Sequence, residues 1–118
     1  GPLQAAAGTQ GRMNLLRRNA RRLSPGAGTV VTTTRPVLRW DAGPPGTRLY
    51  NLQLFRAGAG GRLVKAGSAF PGGKRYVLPA GTALTPGQCY VWRVWPYRRG
   101  AYTPAPLGIS ALCVAGTR

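Results

Sequence analysis

The sequence predicts an all-β chain, a seven-stranded sandwich preceded by a basic N-terminal arm. Three observations carry this. Short apolar or β-branched runs alternate with Gly/Pro turn signals from Thr29 to Val114, and no helical pattern follows residue 23. Residues 89–95, Cys-Tyr-Val-Trp-Arg-Val-Trp, alternate so that Tyr90, Trp92 and Val94 share one face while Cys89, Val91, Arg93 and Trp95 share the other. Leu84, then Pro86-Gly87, then Tyr90 has the spacing of a tyrosine corner, in which the ring is buried at a sandwich edge and the hydroxyl bonds upstream backbone.

Taken in order, residues 1–11 carry no periodicity. Residues 12–23 place Met13, Leu16, Ala20 and Leu23 on one helical stripe beside Arg17, Arg18, Arg21 and Arg22. That stripe is marginal for an isolated helix, so the arm, residues 1–22 with Arg12, is expected to be either a short helix or a linker that orders on binding. Ser24 to Gly28 is loop punctuation, and the folded domain is expected over residues 23–118. Strands are expected at Thr29–Thr34 and Pro36–Trp40, the latter with Leu38 and Trp40 inward. The next are Tyr50–Phe55, with Phe55 outward, and Arg62–Ala66. Tyr76–Leu78, Cys89–Trp95 and Leu107–Val114 complete the set. A long loop is expected from Pro96 to about Pro106.

Trp40, Tyr50-Asn-Leu-Gln-Leu-Phe-Arg56 and Leu84-Thr-Pro-Gly-Gln-Cys-Tyr90 stand in an order and spacing that resembles the fibronectin type III-like β-sandwich of bacterial secreted or surface proteins. The resemblance covers about residues 24–115 and implies an immunoglobulin-like sandwich with Trp40 and Trp92 in its core. It also implies an adhesive, spacer or protein-interaction role in a larger protein. The chain departs from the family in its charge and its cysteines, and no Arg-Gly-Asp triplet is present.

If Tyr90 opposes Leu112 in the core, the same antiparallel register sets Cys89 opposite Cys113 and Trp95 opposite Leu107. Cross-strand Cβ atoms at a non-hydrogen-bonded pair lie near disulfide distance, which predicts a Cys89–Cys113 bridge on the outer face. Such a bridge would place the protein outside the cytosol, extracellular or on a bacterial cell surface. Two reduced structural thiols are the alternative.

The formal net charge is +16, with Asp41 the only acid among 118 residues. Of the 17 basic residues only Lys65 and Lys74 are lysines, and Gly, Ala, Pro and Arg are all abundant, which codon bias alone could produce. A surface of this charge also attracts polyanions in a salt-dependent way. No stretch approaches the ~20 apolar residues of a membrane helix, so no transmembrane segment is expected. The opening Gly1-Pro2 resembles a protease-cleavage scar, so an excised domain is expected, monomeric in isolation.

Catalysis is not expected. There is no His and no Glu, so Ser24, Ser68 and Ser110 lack a general base and Asp41 lacks a second carboxylate. Lys65 and Lys74 sit among turn residues and read as solvated charges. Two cysteines without histidine cannot complete a metal site, and no phosphate loop or dinucleotide fingerprint appears, so no cofactor is expected.

Binding has two predicted locations. Strand direction gathers Arg48, Lys74, Arg75, Arg98, Arg99 and the basic arm at one pole, leaving Arg56, Arg62, Lys65 and Arg118 at the other. The loop Tyr97-Arg98-Arg99-Gly100-Ala101-Tyr102 there combines interface-prone residue types. The second location is the outer sheet face, with Phe55, Val91, Arg93, Trp95 and Ile109, either offered to a partner or covered by Leu15, Leu16 or Leu23 of the arm. The leading expectation is a non-catalytic adhesion, spacer or protein-interaction module. A polyanion-binding module, for nucleic acid or an anionic wall polymer, is the alternative, with nucleic acid bound non-specifically because no base-stacking platform or RNA-binding motif is present. A carbohydrate module using Trp95 and Phe55 is the third.

Overall fold

Period-two burial along two long central strands builds the molecule. The computed structural model of the chain describes residues 22–116, all in strands and connecting turns apart from short 3-10 segments. The strands are β1 (Leu23–Ser24), β2 (Thr29–Val31), β3 (Val37–Trp40), β4 (Thr47–Ala57) and β5 (Leu63–Ala69). They continue with β6 (Arg75–Val77), β7 (Cys89–Arg98), β8 (Ala101–Tyr102) and β9 (Gly108–Val114). One sheet is β1-β3-β6. The other runs β2-β9-β7-β4-β5, with β8 pairing β7.

The inner residues of both sheets meet in one core. Leu52 and Leu54 of β4, Trp92 and Val94 of β7 and Leu112 of β9 are essentially inaccessible, and Leu38 and Trp40 of β3 close over them. Trp40 packs edge-on against Tyr50 at 5.6 Å and tilted against Trp92 at 6.3 Å, arrangements that suit the ring quadrupoles. The indole N–H groups of both tryptophans are buried without a partner, so shape and area hold this cluster rather than hydrogen bonds.

The corner is formed as the spacing requires. Pro86-Gly87 makes the turn, with Gly87 at φ 82° and the Gln88 N–H donating to the Thr85 carbonyl. The buried Tyr90 ring places its hydroxyl 2.8 Å from the Thr85 N–H, which donates to it, while Leu84 is buried beside it. In the same register Tyr90 faces Leu112 and Cys89 faces Cys113, and the two sulfurs are bonded at 2.06 Å. Val114 N–H donates to Gln88 O, which makes the neighbouring Cys89/Cys113 position a non-hydrogen-bonded pair, as expected. The ladder ends at Val94/Gly108, one step before the expected Trp95/Leu107 pair, and Leu107 N–H donates to Val94 O there.

Nine strands form where seven were expected, the additions being β1 and β8, and several details differ from the sequence expectation. The first strand is shorter, Thr29–Val31, because the Arg35 N–H bonds Thr33 Oγ1 and the Thr34 carbonyl accepts from Leu84 N–H, so the β-branched run turns away. It pairs parallel with β9. Leu23 does not end a helix. It lies in β1 opposite Trp40, at 4% exposure in the core, and so does not cover Trp95. Between β1 and β2 the chain crosses from one sheet to the other, and buried Ser110 holds the crossing by donating its hydroxyl to Pro25 O at 2.8 Å. The expected loop from Pro96 to Pro106 is instead largely a tight hairpin, since β7 continues to Arg98 and returns through Arg99 (φ 52°) and Gly100 (φ 82°) into β8. The other predicted strands recur with shifted ends, most of all β4, which begins at Thr47 and takes in Arg48. Residues 12–21, including Met13, Leu15, Leu16, Ala20, Arg12, Arg17, Arg18 and Arg21, lie outside the described residues, as does Arg118.

Replacing both cysteines (Cys89→Ser with Cys113→Ser) should lower unfolding free energy by about 3–4 kcal/mol, the chain-entropy value for a loop of this length, read from denaturant titration. Tyr90→Phe, which strands the Thr85 N–H, should cost about 1–2 kcal/mol in the same assay.

Candidate functional site

The outer face of the six-stranded sheet collects the predicted sheet-face residues. Alternation on β4 turns Gln53 and Phe55 away from the core, and alternation on β7 does the same for Val91, Arg93 and Trp95. Register places Gln53 opposite Arg93 and Phe55 opposite Val91. The Arg93 guanidinium then lies 5.2 Å from the Phe55 ring centre and 5.6 Å from that of Trp95, so one cation bridges two aromatic rings. Arg93 Nε donates to Gln53 Oε1 at 2.6 Å, which fixes the plane of the fork. Farther toward the disulfide, Val91 and Ala111 are buried under Leu63 and Ile109, so that part of the face is a small closed apolar cluster.

Toward the other end the face continues into the hairpin. Tyr97 and Tyr102 are cross-strand partners with ring centres 4.9 Å apart in an edge-to-face pair, and Tyr102 is 41% exposed. Pro96 sits within β7 opposite Tyr50, whose N–H donates to Pro71 O, so the missing proline donor leaves no gap in the ladder. The resulting strip runs Phe55, Arg93, Trp95, Tyr97, Tyr102 along neighbouring strands. Sequence reasoning separated these residues into a face and a loop. The structure makes them one continuous surface, because the two-residue turn keeps Tyr102 in the sheet.

The predicted basic pole divides into two. Arg98 lies opposite Thr47, beside a register shift at Arg48, and Arg99 occupies the turn, so these three gather at the hairpin end. Arg22, Lys74 and Arg75 instead line an open groove of about 490 Å³ on the other sheet, with Leu23, Ser24, Arg39, Trp40 and Asp41. Arg39 and Ser24 were missed at the sequence level, although the inward Leu38 and Trp40 on either side already turn Arg39 outward. Arg56 faces Val64 at the far end of β4, and Arg62 lies in the turn that follows.

Both sulfurs are taken up by the disulfide, and the described residues hold no cluster of three or more His, Cys, Asp or Glu side chains that could bind a metal. None of their helices is long and apolar enough to cross a membrane. No protein-family model matches the chain, and no curated protein matches it in sequence.

Trp95 is the only one of the three tryptophans not buried in the core. Arg93→Ala should therefore increase acrylamide quenching of tryptophan emission by uncovering the Trp95 ring, with a stability cost of about 0.5–1 kcal/mol, the scale of a surface cation–π contact. Unchanged quenching would show that the stack does not persist in solution.

Proposed function

We propose that this chain is a non-catalytic, fibronectin type III-like interaction module of a secreted or surface-exposed bacterial protein. It recognises a protein partner through the strip Phe55–Arg93–Trp95–Tyr97–Tyr102. The observation that carries the reading is the register-locked series of aromatic rings around one arginine on an outer sheet face. Tyr, Trp and Arg are enriched at interface hot spots, and the two aromatics bring large rigid contact area at little conformational cost. Here packing and pairing already restrict the rings, so less ordering remains to be done on binding. The disulfide on the same sheet supports an extracellular or surface setting, where such a bond persists. The two-sheet architecture, the tyrosine corner and the Trp40–Trp92 core support the family resemblance. A sugar platform is less well supported, because Arg93 already lies over the Trp95 ring that a pyranose would stack on.

The test is paired. The wild-type domain and a Tyr97→Ala, Tyr102→Ala variant are immobilised and challenged with the extracellular proteins of the source bacterium. A protein that the wild type retains, and that the variant holds at least tenfold less tightly at matched thermal stability, supports the reading. Equal retention by both would overturn it.

A further inference from the structure

Within the three-stranded sheet, Ser24, Arg39 and Arg75 stand in one row across β1, β3 and β6, all on the outer face. Arg39 and Arg75 are directly opposite each other, a cross-strand pairing of like charges that destabilises a sheet. The chain has a single acid, Asp41, which also lines this groove, so the four cations Arg22, Arg39, Lys74 and Arg75 outnumber the carboxylate and leave a net +3. Arg22 is steadied by donating from Nη2 to Ala42 O at 3.0 Å, and Lys74 is held by its carbonyl, which accepts from Trp40 N–H. The groove volume falls within the ~300–1,000 Å³ range of ligand clefts.

We infer that this groove is an anion site that takes the backbone phosphates of a polyol-phosphate polymer. Planar guanidinium forks suit tetrahedral oxyanions, which they hold with paired hydrogen bonds, and a bound phosphate between Arg39 and Arg75 converts their repulsion into a shared attraction. The polymer is read through its charges, because the one aromatic in the lining, Trp40, is 5% exposed and offers no ring face for a nucleobase. The site is independent of the aromatic strip on the opposite sheet and shares with that reading only the extracellular setting.

The experiment compares binding of poly(glycerol phosphate) and of single-stranded DNA of matched charge at physiological salt. Five proteins are used: wild type, Arg39→Ala with Arg75→Ala, Asp41→Asn, Tyr97→Ala with Tyr102→Ala, and the equal-charge control Arg56→Ala with Arg62→Ala. The groove variant should lose at least tenfold in affinity for the polyol phosphate and reduce the salt slope of log K by about 1.5–2. The control should change twofold or less, and Asp41→Asn should bind more tightly. The groove variant should melt no lower than wild type, since the like-charge pair is gone. Tyr97→Ala with Tyr102→Ala should leave polymer binding unchanged, which separates this site from the protein-recognition strip. Equal losses in groove and control variants would reduce the effect to diffuse charge and overturn the proposal. A tenfold preference for DNA would reassign the groove to nucleic acid and overturn it equally.

Discussion

The pairing of β7 with β9 is the constraint on which the rest depends. One register decides two things at once, because a strand's side chains alternate: Tyr90 goes inward against Leu112 and Cys89 goes outward against Cys113. A slip of one residue would expose Trp92 and Val94 and drive Arg93 into the core. The corner hydrogen bond and the disulfide sit at the same end of β7 and lock that choice from opposite faces. With β7 fixed, β4 is aligned along its other edge, and the outer-face strip follows without further specification.

The same logic explains what the sequence disclosed. Residues 89–95 alternate strictly and follow an unmistakable turn, so their faces and the sulfur pairing were readable, and the alternation of residues 36–40 made the inward Trp40 readable too. Phe55, Arg93 and Trp95 were placed on one face for the same reason, although their mutual stacking was not foreseen. Parts governed by local competition were not readable. Thr32–Thr34 has strand-forming side chains, yet Thr33 binds nearby backbone and the strand stops. Pro96 signals an end to pairing, but here it faces Tyr50, whose N–H is engaged elsewhere. Arg99 is an unusual residue for a left-handed turn position, so the hairpin carried no Asn-Gly or Asp-Gly signature. Leu23 fits a helical stripe equally well until tertiary packing claims it for the core.

Charge follows a different rule from packing. With one carboxylate against seventeen cations, nearly every arginine must find water, a carbonyl, an aromatic ring or an external anion. The structure shows two of these solutions, the carbonyl and the ring. Arg35 donates to the Leu78 carbonyl, Arg22 to that of Ala42, and Arg93 lies between two rings while bonding Gln53. Arg39 and Arg75 face each other with no carboxylate between them on the ladder. Codon bias can supply arginines in number, but it does not decide where strand register brings them together, and that distribution separates a basic composition from a basic site.

The sheet-crossing near the N-terminus has a mechanical consequence. Because β2 and β9 run parallel, tension between the two chain ends would draw β2 by its leading end and β9 by its trailing end, in opposite directions along a shared ladder. Those bonds would then bear load together in shear instead of opening one after another, as in unzipping. The short β1 pairing would yield first and leave that clamp, backed by the sulfur bridge on the far side of β9, to resist stretching.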